Sequence, residues 1–164
     1  MSVIIRKAVL ADISALLDMS EQGRIFHNRL LNDYFADLDL ETEKSFLEKA
    51  VTDKDKMFFV AQKNDAVVGM LSCFFKTLPY LRYPSVCHVD TLYVEEKYRG
   101  EGIGRLLMQN LKEICIRLGV DEMDLSVYTG NEKALAFYRS MGFTAKKQEL
   151  KLDLQSEKSE SINL

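Results

Sequence analysis

Three glycines at alternate positions, Gly100, Gly102 and Gly104, stand in the run Tyr98-Arg99-Gly100-Glu101-Gly102-Ile103-Gly104-Arg105. Ahead of them an apolar stretch, Val89 to Val94, reads as a strand that leads into a short charged loop, Glu95-Glu96-Lys97. Behind them an apolar helical pattern begins at once. Glycine lets a backbone approach a ligand closely, because no Cβ intervenes and positive φ is open to it. A helix start presents unpaired N–H groups and about half a positive charge to the same spot. Together these bind phosphate or pyrophosphate. A Walker loop ends in Gly-Lys-Ser/Thr, whereas Gly104 is followed by Arg105-Leu106. A Rossmann fingerprint is G-x-G-x-x-G close after the first strand, and this run lies deep in the chain as G-x-G-x-G. Neither fits.

Other residues offer proton chemistry. In His88-Val89-Asp90-Thr91-Leu92 the period of two puts His88 and Asp90 on one strand face. An imidazole titrates where a base is useful at neutral pH. His88 reads equally as a half-buried strand histidine satisfied by a neighbour. Asp90 is open to three roles: orienting His88, binding an ammonium, or capping nearby backbone. Glu95 is a weaker alternative base. Farther on, Asn131 and Tyr138 lie two helical turns apart and share a face. An N-cap and a half-buried aromatic are their structural alternatives.

The pattern R-x-x-G-x-G of Arg99 to Gly104, after a strand ending Leu92-Tyr93-Val94, resembles the signature of the GNAT superfamily of acyl-CoA-dependent N-acetyltransferases. The run Asn131 to Phe143, N-x-x-A-x-x-x-Y followed by Gly142-Phe143, is similar to that family's second motif. The likeness implies a mixed α/β fold, with a mostly antiparallel sheet of six to seven strands, splayed in the middle, between about four helices. It implies acetyl-CoA as co-substrate, its pantetheine arm along the backbone of Leu92, Tyr93 and Val94. Amides of Gly100, Gly102, Ile103, Gly104 and Arg105 would cradle the pyrophosphate, with Arg99 and Arg105 near phosphate and Asn131 and Tyr138 facing the cleft. Tyr138 matches the family's general acid for the departing thiolate. The Val94 amide would stabilise the oxyanion. The base is not fixed by the family, so His88 with Asp90 is an inference from this strand. An acyl-cysteine route would need Cys87 paired with the adjacent His88.

The whole chain has to position these groups. Its 164 residues, 47% apolar and 29% charged, suit one soluble domain with a real core. A net charge of −3 argues against nucleic acid or an anionic membrane as partner. Three cysteines without framework spacing, no signal-like amino terminus and no apolar run near the roughly 20 residues of a span suggest a reduced cytoplasmic protein without a membrane segment. No metal-ligand spacing stands out.

Strands are expected at Val3–Lys7, Lys56–Gln62, Ala66–Phe75, Val86–Val94, Glu122–Tyr128 and Phe143–Leu154. Helices are expected after Asp12 as N-cap, at Glu41–Val51, from Ile103 to Leu118 and over Asn131–Met141. A single domain would cover residues 1–154, followed by a polar, disordered tail, 155–164. Acceptor specificity is expected from Gln22–Asp39 and Lys76–Cys87, where Phe26, His27, Tyr34, Tyr80 and Tyr83 could line a pocket and Asp33, Asp37 and Asp39 attract a cation. The acceptor is read as a small-molecule amine. A protein N-terminus or lysine, or a non-catalytic acyl-CoA-binding module, are the alternatives. The Leu150-Leu152-Leu154 face makes a homodimer conceivable.

Overall fold

The computed structural model describes residues 2–154. The elements run β1 (Ile4–Lys7), α1 (Ile13–Leu31), α2 (Leu40–Thr52), β2 (Lys56–Lys63), β3 (Ala66–Thr77), β4 (Ser85–Val94), α3 (Ile103–Arg117), β5 (Glu122–Leu125) and α4 (Glu132–Ser140). The sheet order is β1-β2-β3-β4-β5. Its first three pairings are antiparallel and β4–β5 is parallel. Short loops make the hairpins, while α3 is the crossover that a parallel neighbour requires. Between β2 and β3, Asn64 and Asp65 both take positive φ, 49° and 62°, within the hairpin turn that Lys63-Asn64-Asp65 predicts.

Each face of the sheet buries a different layer. On one, Ile13, Leu16 and Met19 of α1 and Leu47 and Ala50 of α2 pack on Phe58, Val60 and Met70. On the other, α3 buries Ile103, Leu107, Met108, Leu111 and Cys115. The 3.6-residue period of α3 and the period of two in β2 and β3 explain this division.

α1 is longer than its amino-terminal pattern suggested and absorbs most of the ambiguous segment after Gln22. It stops where Asn32 and Asp33 turn left-handed, at φ 54° and 56°. The Asn28 side chain then clamps Phe35, donating to its carbonyl (2.9 Å) and accepting from its N–H (2.8 Å). Asp12 is not a side-chain cap. A 3-10 turn, Leu10–Asp12, swings its carboxylate back toward β1, where it accepts from Arg6 at 2.7 and 2.8 Å and from the Val9 N–H at 2.9 Å.

Five strands form among the described residues, not six to seven. β5 ends at Leu125 rather than Tyr128, and Phe143–Leu154 forms no strand. An alternating sequence becomes a strand only beside a free ladder, and Leu150 and Leu152 stay 87% and 78% exposed. The fold class stands: a mixed α/β chain with a mostly antiparallel sheet and four helices among the described residues. The chain divides into two compact units, one ending at Glu132 and one beginning at Lys133. The sheet, α1, α2 and α3 lie in the first. The tail, 155–164, lies outside the described residues.

Candidate active site

β4 changes character at Asp90. Ser72 pairs with Thr91 and Cys73 with Val89, so Asp90 is an extra residue, a β-bulge. The bulge resets the alternation. His88 shares a face with Phe74, its partner in register, and Thr91 and Tyr93 share that face through Ser72 and Met70. The period of two is therefore interrupted between Val89 and Thr91. On the other side β5 pairs only from Val86 to Val89. From Asp90 to Val94 that edge of β4 has no strand beside it among the described residues. The chain after β5 turns away instead, to Tyr128, whose ring packs on His27 and Phe35 with centroids 5.4 and 5.7 Å apart. An extended ligand could continue the ladder there.

The glycine loop follows that free edge. Gly100 and Gly102 sit at φ 85° and 82°, where a side chain is strained. Gly102 is the N-cap of α3 and brings no side-chain oxygen to its first-turn amides. The start of α3 and its dipole face there, as an anion requires. Lys63 at the end of β2 pairs with Glu101 and tethers the loop to the sheet. Arg99 is held back: its Nε donates to the Val94 carbonyl (3.0 Å) and its guanidinium lies over the Tyr93 ring at 5.5 Å.

A cavity of about 290 Å³ opens on the bulge. Its walls include Glu43 and Phe46 of α2, Lys56 of β2, Phe74 of β3, and Asp90 and Thr91 of β4. Glu43, Phe46, Leu47 and Ala50 recur at helical spacing, so one face of α2 forms a whole wall. The Lys56 ammonium rests over Phe46, 5.2 Å from the ring centroid.

Beside the cavity, His88 Nδ1 lies 2.6 Å from Asp124 of β5, which also accepts from Lys76 of β3 at 3.1 Å. Burial alone would raise the Asp124 carboxyl; hydrogen bonds from His88 and Lys76 overcome it and hold Asp124 below the usual carboxylate range.

A glycine turn at a helix start, a strand with one open edge and an adjoining cavity thus lie along β4. The sequence profile of the GNAT acetyltransferase family matches residues 24–143. The chain belongs to the GNAT family. An L-ornithine N5-acetyltransferase of Arabidopsis thaliana is 31% identical over 104 residues, 63% of this chain and 45% of that protein. A glucosamine 6-phosphate N-acetyltransferase of Trypanosoma brucei brucei is 31% identical over 96 residues, 58% of this chain and 63% of that one. The chain thus spans under two thirds of either relative's length. A crystal structure of a single-site mutant of the BH1408 protein of Bacillus halodurans superposes with TM-score 0.85 at 27% identity, covering 92% of this chain and 99% of that one. A predicted acetyltransferase of Clostridium acetobutylicum, solved with acetyl-CoA, shares the fold at TM-score 0.73 and 18% identity, covering 94% and 98%.

Within this GNAT chain the residues expected at the acceptor side do not line this cavity. Phe26, His27 and Tyr34 join Phe35 and Tyr128 in an aromatic cluster at the end of α1. Asp39 caps α2, accepting from the Glu41 N–H. Tyr80 and Tyr83 are exposed. Glu95 lines a separate hollow beside Tyr93 and pairs with Lys97. Cys87 is fully buried on the opposite face from His88. A hydrogen bond from Cys115 pulls its thiol down, but Cys73 and burial push it up to about 12, so it is no thiolate nucleophile.

In the second unit Tyr138 sits on α4 between the rings of Phe137 and Phe143, and its carbonyl closes the helix by accepting from Met141 and Phe143. Burial pushes its phenol up to about 12, so it carries its proton at neutral pH. In the first unit the Asn131 N–H donates to the Tyr128 carbonyl at 3.1 Å. Among the described residues no cluster of three or more His, Cys, Asp or Glu is placed to hold a metal, and no helix is long and apolar enough to cross a membrane.

Two features were missed in the sequence. Asp124 was visible only as a polar residue alternating with Leu125, and Glu43 with Phe46 only as an ordinary turn of an amphipathic helix.

Proposed function

We propose that the chain transfers acetyl from acetyl-CoA to a small primary amine held in the α2-walled cavity. One observation carries the reading: β4 loses its β5 neighbour at the very residue, Asp90, that opens into the cavity. When bound, acetyl-CoA supplies an activated acyl thioester. The free backbone edge of Leu92, Tyr93 and Val94 holds the pantetheine arm, and amides of Gly100, Gly102, Ile103, Gly104 and Arg105 hold the pyrophosphate. Arg105 adds charge there; Arg99 secures the end of β4 by its bond to Val94. Asn131 supports the cofactor from the start of α4.

An alkylammonium titrates near 10 and must lose a proton before it can attack. Asp90, exposed at the bulge, holds that ammonium, and His88 takes its proton through a water. The Val94 amide receives the negative charge that builds on the acyl oxygen. Tyr138 Oη keeps the proton that the departing sulfur takes. The relatives that act on ornithine and on glucosamine 6-phosphate support a small amine over a protein substrate. A volume near 290 Å³ also matches a small molecule.

Thiol release from acetyl-CoA is the test, across L-ornithine, thialysine, glucosamine 6-phosphate and lysine- or amino-terminal peptides. Release with small amines and not with peptides is expected; peptide preference overturns the small-molecule assignment. CoA alone should bind by calorimetry, and no heat at millimolar ligand sinks the reading. Tyr138→Phe should lower kcat about 100-fold with CoA affinity nearly unchanged. Full activity in that variant removes Tyr138 as the acid.

A further inference from the structure

We infer that Asp124 is the positioning residue for His88: it fixes the imidazole with Nδ1–H turned toward β5 and leaves Nε2 as the proton acceptor. The inference rests on the acetyl-transfer reading above. The parallel register of β4 and β5 sets His88 directly opposite Asp124, and their side chains close to 2.6 Å. An ionised carboxylate has no proton to donate, so the shared proton belongs to Nδ1. A neutral imidazole then carries its lone pair on Nε2.

Lys76, from β3, approaches both carboxylate oxygens at 3.1 and 3.4 Å and keeps Asp124 charged. Three adjacent strands thus contribute one side chain each to a Lys–Asp–His line. The charged groups around the imidazole are Lys76 on β3, Asp124 and, two residues before it, Glu122 on β5, and Asp90 on β4. Phe74 stacks against the ring at 5.0 Å and also lines the acceptor cavity, so the imidazole stands just behind that wall. Reach through one water is what the geometry allows. The ammonium nitrogen keeps its electron pair, its proton passes by the water to Nε2, and the imidazolium forms against the Asp124 carboxylate.

Asp124→Asn tests this. The asparagine amide can donate to Nδ1, which moves the ring proton to Nε2 and removes the acceptor. With acetyl-CoA and L-ornithine, thialysine or glucosamine 6-phosphate as acceptor, kcat should fall about 100-fold, within the range that a positioned base contributes. CoA affinity by calorimetry should not change. Nitrogen–proton NMR of the imidazole should show Nδ1–H in the wild type and Nε2–H in the variant. Lys76→Met takes away the cation beyond the carboxylate and leaves the Asp124–His88 pair, so Nδ1–H should persist in the same spectrum.

If the wild type releases thiol and Asp124→Asn matches it in kcat and pH profile, this inference alone falls. If the wild type releases none with any acceptor, the acetyl-transfer reading falls, and this inference with it. Should Asp124→Asn not fold, the other measurements decide. An Nε2–H tautomer in the wild type, or in Lys76→Met, overturns the inference.

Discussion

The two halves of β4 share a backbone and do different work. From Val86 to Val89 the strand is paired on both sides, and Val86, Cys87 and Val89 are buried. From Thr91 to Val94 it is paired, among the described residues, only with β3, and all four residues are half-buried. A doubly paired strand has satisfied its backbone groups and contributes stability. A singly paired one keeps a row of donors and acceptors for a guest, at the cost of being an edge. One extra residue, Asp90, separates the two. A single strand can therefore hold the core and offer the edge proposed for the cofactor without either function limiting the other.

Deleting Asp90 is the harshest way to break that division. Without the bulge, every side chain from Thr91 onward exchanges faces relative to β3. Tyr93 would leave the core against α1, where its ring now lies beside Gly23. We expect loss of acetyl transfer and a stability loss of about 3 kcal/mol or more, read by urea unfolding. A deletion variant that folds normally and still turns over would show that the bulge does not organise the site.

Gly102→Val attacks the free half from its far end. At φ 82° a β-branched residue costs roughly 1–3 kcal/mol of strain. If the loop yields rather than the fold, the first-turn amides of α3 move away from the phosphate position. CoA affinity by calorimetry should drop about tenfold or more, while the same substitution leaves the doubly paired half intact by hydrogen exchange. Unchanged affinity would place the pyrophosphate elsewhere.

Gly69→Ala is milder and touches the join between sheet and loop. A Cβ at Gly69 would lie 3.1 Å from the Tyr93 carbonyl oxygen and 3.4 Å from Ile103 Cγ2. The strand or α3 must shift by a few tenths of an ångström, costing about 1–2 kcal/mol. A few-fold loss of CoA affinity should accompany it. Equal stability loss with full affinity would mean that the free half tolerates displacement.

How much of this could be read in advance follows from how local each cause is. The glycines at 100 and 102 answer a backbone requirement within their own turn, so their types disclosed it. The Asn64-Asp65 turn and the apolar stripe of α3 are legible for the same reason. The bulge is not, because His88, Asp90 and Leu92 look like unbroken alternation. Only the partner residues Ser72 and Cys73 reveal the slip. Asp124 meets His88 through the β4–β5 register, set by a crossover of many residues. Phe143–Leu154 shows the opposite error: a good local pattern without a partner.

The gentlest probe is pH, and it bears on the paired half. Asp124 is held below its ordinary range in the folded chain by His88 and Lys76, against burial. Its contribution to stability is therefore complete above the unfolded value near 3.9 and is lost as pH falls through the lower folded value. Comparing wild type with Asp124→Asn in urea should give a deficit of about 1 kcal/mol at pH 7 and pH 5, narrowing below about pH 4. The side chain is one-fifth exposed, which keeps the figure small. The free half has no such dependence, since the edge there is backbone and its amides do not titrate. A deficit that stayed constant down to pH 2.5 would mean that Asp124 shapes the strand pair by packing rather than by charge. The ion pairs of the doubly paired half would then be incidental to its stability.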